Sequence, residues 1–196
     1  QKLYLGGFIS YLRTSSQKIP KEIEPLKILK ALAKQFPETK LATRKTPIEG
    51  KKDDPAHPSI YATGELPDSL SEVEEKLYRL IAKRFISAFS PDAKTANKRV
   101  VLTSTKNPDI TFTANGLVIT DKGWTEVYPS TMEETKLDDY SGKYTLDKLE
   151  FPEKETQPPR RYTPASLISL LEKKNLGTTA TRSSIVDTLF TRGYLD

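Results

Sequence analysis

The sequence contains no cysteine and a single histidine among its 196 residues. Without cysteine, the chain has no disulfide, no thiolate nucleophile and no cysteine-bound zinc, which is compatible with a reducing compartment. Long apolar runs are also lacking. None approaches the ~20 residues that a membrane-spanning helix needs, which excludes a transmembrane segment. Residues 1–5 do not have the long apolar region of a secretory signal peptide.

Charge, by contrast, is plentiful. Thirty-one Lys and Arg residues against 26 Asp and Glu give a net charge of +5. A polyanionic partner is compatible with this balance, but many proteins without such a partner are equally basic. A mean hydropathy of −0.55 favours modest hydrophobic cores, and the length allows one large domain or two to three small ones. Because the chain begins with Gln1 and stops just after a helix-like pattern, we expect a piece of a longer protein.

The N-terminal half is predicted to be mostly helical, with one long loop. Residues 1–7 have the pattern of a helix end stopped by two glycines. An amphipathic helix is predicted over 21–36. Its regular part should begin at Pro25 or be kinked there, because proline is tolerated in a first turn but not in a helix interior. Residues 38–68 carry little periodicity and several prolines, so they are predicted to form a loop. Loops of this length are more often functional or disordered than structural.

The most regular helix is predicted over 69–89. Ser71 and Glu74 have the spacing of a capping box, in which each side chain bonds the backbone N–H of the other residue. Apolar residues at spacings of three and four are expected to form the buried stripe of this helix. They are Leu70, Val73, Leu77, Leu80, Ile81 and Phe85.

Beyond this helix the periodicity changes to two, which indicates β-strands. The predicted strands cover 100–105, 110–114 and 117–120. Turns are expected at 107–109 and at Asn115 with Gly116, a dipeptide typical of hairpins. Residues 129–158 are polar and acidic, with a weak strand pattern at 143–149.

Two helices separated by a glycine-containing break are predicted at the C-terminal end. Thr163 can cap the first helix, with Pro164 at its first position. The second helix is predicted over 180–191 and should stop at Gly193. This arrangement is that of a helix-turn-helix, which suits nucleic acid but also occurs in many proteins that never touch it.

Residues 7–20 bring an apolar run to a tyrosine, and an arginine, hydroxyl residues and a lysine follow. On an extended segment, Tyr11 and Arg13 point the same way, so both could face one phosphate. A tyrosine can attack a phosphodiester, and the guanidinium fork can hold the phosphate. Spacing alone favours the structural alternative, a half-buried strand that runs into a polar loop.

Two further stretches have both a structural and a functional interpretation. His57 lies beside prolines in the long loop, which is typical of a surface or turn residue, but a histidine can also donate a hydrogen bond or a proton near a phosphate. Residues 177–184 place hydroxyls and backbone N–H groups at a helix start, which suits phosphate binding. Ordinary capping by Thr179 or Thr181 explains the same residues.

As a unit, residues 7–17 (Gly-Phe-Ile-Ser-Tyr-x-Arg-Thr-Ser-Ser-Gln) resemble the active-site segment of type IA DNA topoisomerases, in particular the archaeal and topoisomerase III-like members. Residues 177–182 (Gly-Thr-x-Ala-Thr-Arg), with an apolar helix and Arg-Gly-Tyr at 192–194, resemble the DNA-contacting helical domain of the same enzymes. A histidine placed like His57, before a proline and a Thr-Gly pair, recurs near the active site in the family. These separate matches occur in the order of the family.

The resemblance implies an α+β fold in three parts. Residues 1–89 would be a helical catalytic-tyrosine domain that is incomplete at its N-terminus. Residues 90–158 would be a β-rich arch or hinge segment, and residues 159–196 the start of a helix-turn-helix-like, DNA-contacting domain. The N-terminal TOPRIM domain of the family has no counterpart here.

The resemblance also implies a function. Type IA enzymes are isomerases that cleave one DNA strand through a 5′-phosphotyrosyl intermediate, pass a strand and reseal the break, which relaxes negatively supercoiled DNA. The catalytic residues would be Tyr11, Arg13 and His57. Single-stranded DNA would be contacted by Ser15, Ser16, Lys18, Thr178, Thr181 and Arg182. The implied location is the prokaryotic cytoplasm, in association with the nucleoid.

Cleavage and rejoining in the family rest on Mg²⁺, held by an acidic cluster of the TOPRIM domain. This sequence has only adjacent acidic pairs such as Asp53 with Asp54, which are typical of solvated charge. We therefore predict no metal site in this chain. The expected partners are DNA and the TOPRIM-containing remainder of the enzyme, and the chain alone is expected to be inactive.

The competing interpretation is a non-catalytic single-stranded DNA-binding fragment or accessory subunit. In such a protein Tyr11 would be no more reactive than Tyr61. A tyrosine recombinase or a relaxase lacks support, because the former uses several basic catalytic residues and the latter a histidine metal cluster.

Overall fold

A computed structural model describes residues 1–54 and 56–195 of the chain. The chain divides into two compact units, Gln1–Ser141 and Gly142–Asp196. The prediction of mixed helix and strand is confirmed, whereas the assignment of three family domains stays a prediction. None of the described helices is long and apolar enough to cross a membrane.

Among its described residues, the first unit has three α-helices: α1 (Lys2–Leu5), α2 (Pro25–Leu32) and α3 (Glu72–Ala88). Helix α2 begins at Pro25, as predicted, and follows a short 3₁₀ turn. The turn and the helix are separated by Glu24, whose backbone has the left-handed conformation with φ of 52°. Proline fits the first helical position because its missing N–H would have no partner there.

Helix α3 confirms the predicted cap and only part of the predicted stripe. The Ser71 hydroxyl accepts from the Glu74 N–H, and the Glu74 carboxylate accepts from the Ser71 N–H at 3.0 Å. Of the predicted stripe, however, Val73, Leu77 and Leu80 are 76%, 49% and 43% exposed. That part of the prediction is wrong.

The buried face of α3 carries Tyr78, Ala82 and Ile86 together with Phe85 of the predicted stripe. Leu70 and Ile81 of that stripe are partly buried and pack against the same core. Because α3 has apolar residues on two faces, periodicity alone does not decide which face is buried. The neighbouring aromatic residues decide it. The Tyr78 ring lies 6.1 Å from that of Phe36 and 6.4 Å from that of Phe8, and its hydroxyl donates to a backbone carbonyl.

The core of the first unit packs α1, α2 and α3 around the chain that carries the predicted loop. Its fully buried side chains include Leu32, Phe36, Ile86 and Phe89. Apart from a short 3₁₀ helix at Pro37–Leu41, the described residues of the loop lack regular structure. The loop is nevertheless part of the core, because Ala62 is fully buried.

The β-region is one antiparallel ribbon of β1 (Lys94–Thr103) and β2 (Thr111–Asp121). The chain reverses between these strands, where the Ser104 N–H donates to the Ile110 carbonyl. The turn predicted at Asn115 and Gly116 is wrong, since both residues lie inside β2 and pair with β1.

Close approach of another segment explains the glycine inside β2. A Cβ atom at Gly116 would lie 2.7 Å from the Thr135 carbonyl oxygen and 2.8 Å from Leu137. Thr135 pairs with Leu117 through two backbone hydrogen bonds of 2.9 Å. Glycine is therefore required here by packing rather than by a turn.

The second unit contains α4 (Pro164–Lys173) and α5 (Arg182–Thr191), which pack on each other. The predicted Thr163 cap and first-turn Pro164 are confirmed. Helix α5 begins two residues later than predicted, and no strand forms at 143–149. Within the described part of this unit, Val186 is the buried apolar side chain.

Candidate active site

The predicted active-site segment, residues 7–18, lies along residues 52–63 of the long loop. Ile9 and Ala62 form a β-bridge at the centre of this pairing. Backbone hydrogen bonds of 2.9–3.1 Å extend it in both directions. They run from Ser10 N–H to Tyr61 O, from Thr63 N–H to Phe8 O, from Gln17 N–H to Lys52 O and from Ser59 N–H to Lys18 O.

Hydroxyl groups of the segment strengthen the same pairing. The Thr14 hydroxyl donates to the His57 carbonyl at 2.8 Å and accepts from the Ser16 N–H at 2.9 Å. The Ser10 hydroxyl donates to the Ser59 carbonyl at 3.2 Å and accepts from the Tyr61 N–H at 3.0 Å. The hydroxyl-rich character of the motif therefore has a structural cause: these side chains hold the histidine loop against the tyrosine segment.

This pairing brings two of the predicted catalytic residues into ring contact. The Tyr11 and His57 ring centroids are 5.3 Å apart, with an angle of 35° between the planes. On its other side, Tyr11 meets the ring of Tyr4 edge-on at 5.3 Å. Tyr11 remains 36% exposed, so its phenol is accessible to a large substrate. The contribution of Tyr4 was not foreseen, because nothing in the pattern of α1 indicates it.

Arg13 lies on the same exposed edge as Tyr11. Both residues are exposed, whereas Leu12 between them is half-buried, as expected for an extended segment. Arg13 makes no hydrogen bond or ion pair with any residue of the described part of the chain. Its guanidinium donors are therefore available to a partner from outside.

His57 is held by a residue that was not predicted to belong to the site, Asp54. The Asp54 Oδ2 atom lies 3.3 Å from His57 Nδ1, and its backbone carbonyl accepts from the His57 N–H at 3.1 Å. The other carboxylate oxygen accepts from the Ala56 N–H at 3.1 Å. An Asp that bonds the backbone two residues onward is a known turn signal, and it was present in the sequence.

The three predicted DNA contacts of this segment have different surroundings. Ser15 is exposed. Ser16 is only 7% exposed, and its hydroxyl accepts from the Lys18 N–H at 3.2 Å. The Lys18 ammonium lies 3.4 Å from a carboxylate oxygen of Glu49. Ser15 is thus open to solvent, Lys18 is partly exposed beside Glu49, and Ser16 supports the shape of the segment.

The remaining predicted DNA contacts lie in the turn before α5, in the second unit. The Thr181 hydroxyl accepts from the Thr178 N–H at 2.8 Å. The Arg182 guanidinium donates to the carbonyls of Leu176 and Gly177, at 3.0 and 3.3 Å. Capping of α5 by the Thr181 side chain is not observed. Much of the polar capacity of these residues is therefore used inside the turn.

Burial distinguishes Tyr11 from two other tyrosines of the first unit. Desolvation raises the pKa of Tyr61, and it raises the pKa of Tyr78 to about 12. Both shifts disfavour the phenolate. A nucleophilic role therefore suits neither of these two side chains.

The residues present do not fit a magnesium site. No group of three or more histidine, cysteine or acidic side chains that could hold a metal occurs within residues 1–54 and 56–195. Near Tyr11, the Asp54 carboxylate already bonds His57 and the Ala56 N–H. No step of the chemistry is therefore assigned to a metal bound by this chain.

Comparison with known proteins identifies the family of the chain. The family model described as DNA topoisomerase matches the whole chain, residues 1–196. The chain is 43% identical to DNA topoisomerase 1 of Methanothermobacter thermautotrophicus and 39% identical to that of Pyrococcus horikoshii, in each case over its full length. It is 32% identical to DNA topoisomerase 3-alpha of Mus musculus. The chain belongs to the type IA DNA topoisomerase family.

The match covers only part of each relative. The chain spans 28% of the Methanothermobacter protein, 30% of the Pyrococcus protein and 20% of the mouse protein. The fold resembles that of full-length topoisomerase I from Thermotoga maritima, with a TM-score of 0.67 at 23% identity, over 96% of this chain and 31% of that one.

Proposed function

We propose that this chain carries the nucleophile of a type IA DNA topoisomerase, and that Tyr11 is that nucleophile. The enzyme would cleave one DNA strand, pass a strand through the break, reseal it and so relax negatively supercoiled DNA. The observation that carries the proposal is the exposed edge formed by Tyr11 and Arg13, with the His57 ring 5.3 Å from that of Tyr11.

In the proposed step, the Tyr11 phenol oxygen attacks the phosphorus of a backbone phosphodiester. A bond forms between Tyr11 and the 5′-phosphate, and the bond from phosphorus to the 3′ oxygen breaks. The phenol loses its proton, and the departing 3′ oxygen gains one. The reverse reaction reseals the strand without ATP, because the phosphodiester energy is kept in the tyrosyl link. With a reference pKa of about 10, a phenol is a good leaving group for that reversal.

Arg13 and His57 have distinct roles in this proposal. Arg13 has no partner in the described chain, so its fork of donors can neutralise the scissile phosphate. His57 faces the Tyr11 ring and can donate a hydrogen bond or a proton beside the phosphate. Ser15, Lys18 and the turn before α5 would contact the single-stranded substrate along its backbone.

We further propose that Mg²⁺ and the acidic residues that bind it come from a TOPRIM-containing portion outside this chain. This proposal is supported by the coverage of the relatives, because the chain matches only 28% and 30% of the length of the two archaeal proteins. By itself, the chain should therefore bind DNA but not relax it. Relaxation of supercoiled DNA by the purified chain would refute this.

The direct experiment combines this chain with the TOPRIM-containing portion of an archaeal relative, Mg²⁺ and single-stranded DNA. Covalent adducts are then detected on a denaturing gel. Tyr11→Phe should abolish the adduct and leave DNA binding intact, because only the attacking oxygen is removed. Tyr61→Phe is the matched control and should keep the adduct. An adduct formed by Tyr11→Phe would refute the assignment. If the assembly binds DNA and forms no adduct, the chain is a binding module.

A further inference from the structure

We propose that Asp54 is a positioning residue that fixes the tautomer of His57, with the hydrogen on Nδ1 and the free lone pair on Nε2. The inference deepens the proposed function, and its catalytic part rests on that function. In this arrangement Nε2, rather than Nδ1, is the ring nitrogen that takes the proton lost by the Tyr11 phenol and then donates it to the departing 3′ oxygen.

The contact between the two side chains indicates which nitrogen carries the hydrogen. Asp54 Oδ2 lies 3.3 Å from His57 Nδ1. A carboxylate accepts hydrogen bonds and donates none, so Nδ1 has to be the donor. In a neutral imidazole, one nitrogen donates and the other accepts. Holding the hydrogen on Nδ1 therefore leaves Nε2 as the acceptor.

The backbone around His57 keeps Asp54 in place for this contact. Asp54 bonds the backbone N–H groups of Ala56 and His57, each at 3.1 Å. In addition, the Thr14 hydroxyl donates to the His57 carbonyl at 2.8 Å. The backbone of His57 is thus bonded to the Tyr11 segment. Its ring lies against the Tyr11 ring, and its Nδ1 atom faces the Asp54 carboxylate.

A neighbouring carboxylate provides a natural control. Asp53 is exposed and makes no hydrogen bond or ion pair with a residue of the described chain. Asp53 has the same side chain and charge as Asp54, but unlike Asp54 it does not contact His57. An effect specific to Asp54 therefore reports its contact with His57 and not the local charge.

The tautomer can be measured in the chain itself by nitrogen-15 NMR. His57 is the single histidine of the sequence, so both ring nitrogens are assigned without ambiguity. With the ring neutral, the wild-type chain should show a protonated Nδ1 and a bare Nε2. Asp54→Ala should return the ring to the Nε2-protonated form that unconstrained histidine favours. Asp54→Asn should do the same, because its amide N–H donates to Nδ1 while its oxygen keeps the turn.

Asp53→Asn should leave the spectrum unchanged. A wild-type ring protonated on Nε2 would overturn the inference. An Asp54→Ala ring that stays protonated on Nδ1 would also overturn it. This measurement requires neither DNA nor the rest of the enzyme, so its outcome is independent of the proposed reaction.

The catalytic consequence is measured in the reconstituted assembly, as the rate of adduct formation. A general acid or base contributes about 10²–10⁴-fold, so loss of its positioning should cost a part of that, about 10–100-fold. Asp54→Ala and Asp54→Asn should both show this loss with unchanged DNA affinity, whereas Asp53→Asn should show none. Asp54→Ala should add nothing in a His57→Ala background, because Asp54 acts through His57.

Each result points to a different failure. If the wild-type assembly forms no adduct, the proposed function is wrong, and the catalytic role of Asp54 is wrong with it. If an adduct forms but Asp54→Ala behaves like Asp53→Asn, the function stands and this inference is wrong. Additive losses in the double variant would show that Asp54 supports the fold and does not act through His57.

Discussion

The two units differ in how much buried apolar packing lies next to their predicted DNA-facing residues. In the first, Ile9 lies two positions before Tyr11 and is buried in an aromatic-rich core. In the second, the turn that carries Thr178 and Arg182 joins two helices whose described buried apolar side chain is Val186. A reacting group has to be held within a fraction of an ångström, whereas contacts to a DNA backbone tolerate adjustment. The difference in packing matches the difference in proposed task.

The largest contrast should appear in stability. Phe36 is fully buried in the first unit, and Phe36→Ala should lower the free energy of unfolding by about 3–5 kcal/mol. Val186→Ala removes two carbon atoms, at about 0.8 kcal/mol each, from the second unit. Trp124, the single tryptophan, lies in the first unit. Its fluorescence during urea unfolding should shift strongly with Phe36→Ala and hardly with Val186→Ala. A clear shift with Val186→Ala would show that the two units unfold together.

The next contrast concerns two arginines. Arg13 has no partner in the described chain, whereas Arg182 donates to two carbonyls of its own turn. Arg13→Ala should slow adduct formation by about 10²-fold or more, because a donor to the reacting phosphate is lost. Arg182→Ala should mainly weaken DNA affinity and loosen the turn. Adduct formation and DNA binding are measured side by side in the reconstituted assembly. A larger loss of adduct rate with Arg182→Ala would contradict the assignment of roles.

A smaller effect is expected from two threonines. Thr14→Val removes the bond that ties the His57 carbonyl to the Tyr11 segment, at a cost of about 1 kcal/mol. It should also slow adduct formation, because the histidine loop is less firmly held. Thr181→Val removes a bond inside the turn before α5 and should leave the adduct rate unchanged at saturating DNA. If both variants slow the reaction equally, the first unit has no special role in placing the histidine.

The smallest contrast is between two capping boxes and depends on pH. Hydrogen bonds from the Ser71 backbone and side chain, and then the bond to Lys2, lower the pKa of Glu74 from 4.5 to about 2. The stabilisation from Glu74 is therefore complete above pH 4.5 and is lost as the pH falls towards 2. The box of α4 uses Thr163 and Ser166, which do not titrate in this range.

Glu74→Gln serves as the control for this prediction. Wild type should be more stable than Glu74→Gln above pH 4.5, and the difference should vanish near pH 2. Unfolding of the first unit, followed through Trp124, provides the measurement. A difference that does not change with pH would contradict the assigned cause.

Local signals in the sequence predicted much of this fold, whereas contacts between distant segments could not be predicted from the sequence. The Ser71 box, the Pro25 start and the Thr163 cap depend on residues within one turn, and the structure confirms them. The buried face of α3 depends on aromatic rings from elsewhere in the chain. Gly116 was misassigned for the same reason, because the segment that requires a glycine there lies about twenty residues away.

The site shows the same division. The motif around Tyr11 predicted a nucleophile with an arginine beside it, and the structure places His57 against Tyr11. The sequence did not indicate that Ser16 would be buried, or that Arg182 would bond its own turn, since both depend on how each loop folds back on itself. Asp54 was interpreted as solvated charge, although its spacing from Ala56 fits a turn that presents the carboxylate to His57.

The central claim is that Tyr11 forms the covalent link to DNA, and peptide mapping tests it most directly. The adduct from the reconstituted wild-type assembly is digested with protease and nuclease, and the modified peptide is sequenced by mass spectrometry. We predict a nucleotide joined through its 5′-phosphate to Tyr11, with a free 3′ hydroxyl on the other DNA fragment. A nucleotide on any other residue, or one joined through a 3′-phosphate, would contradict the claim.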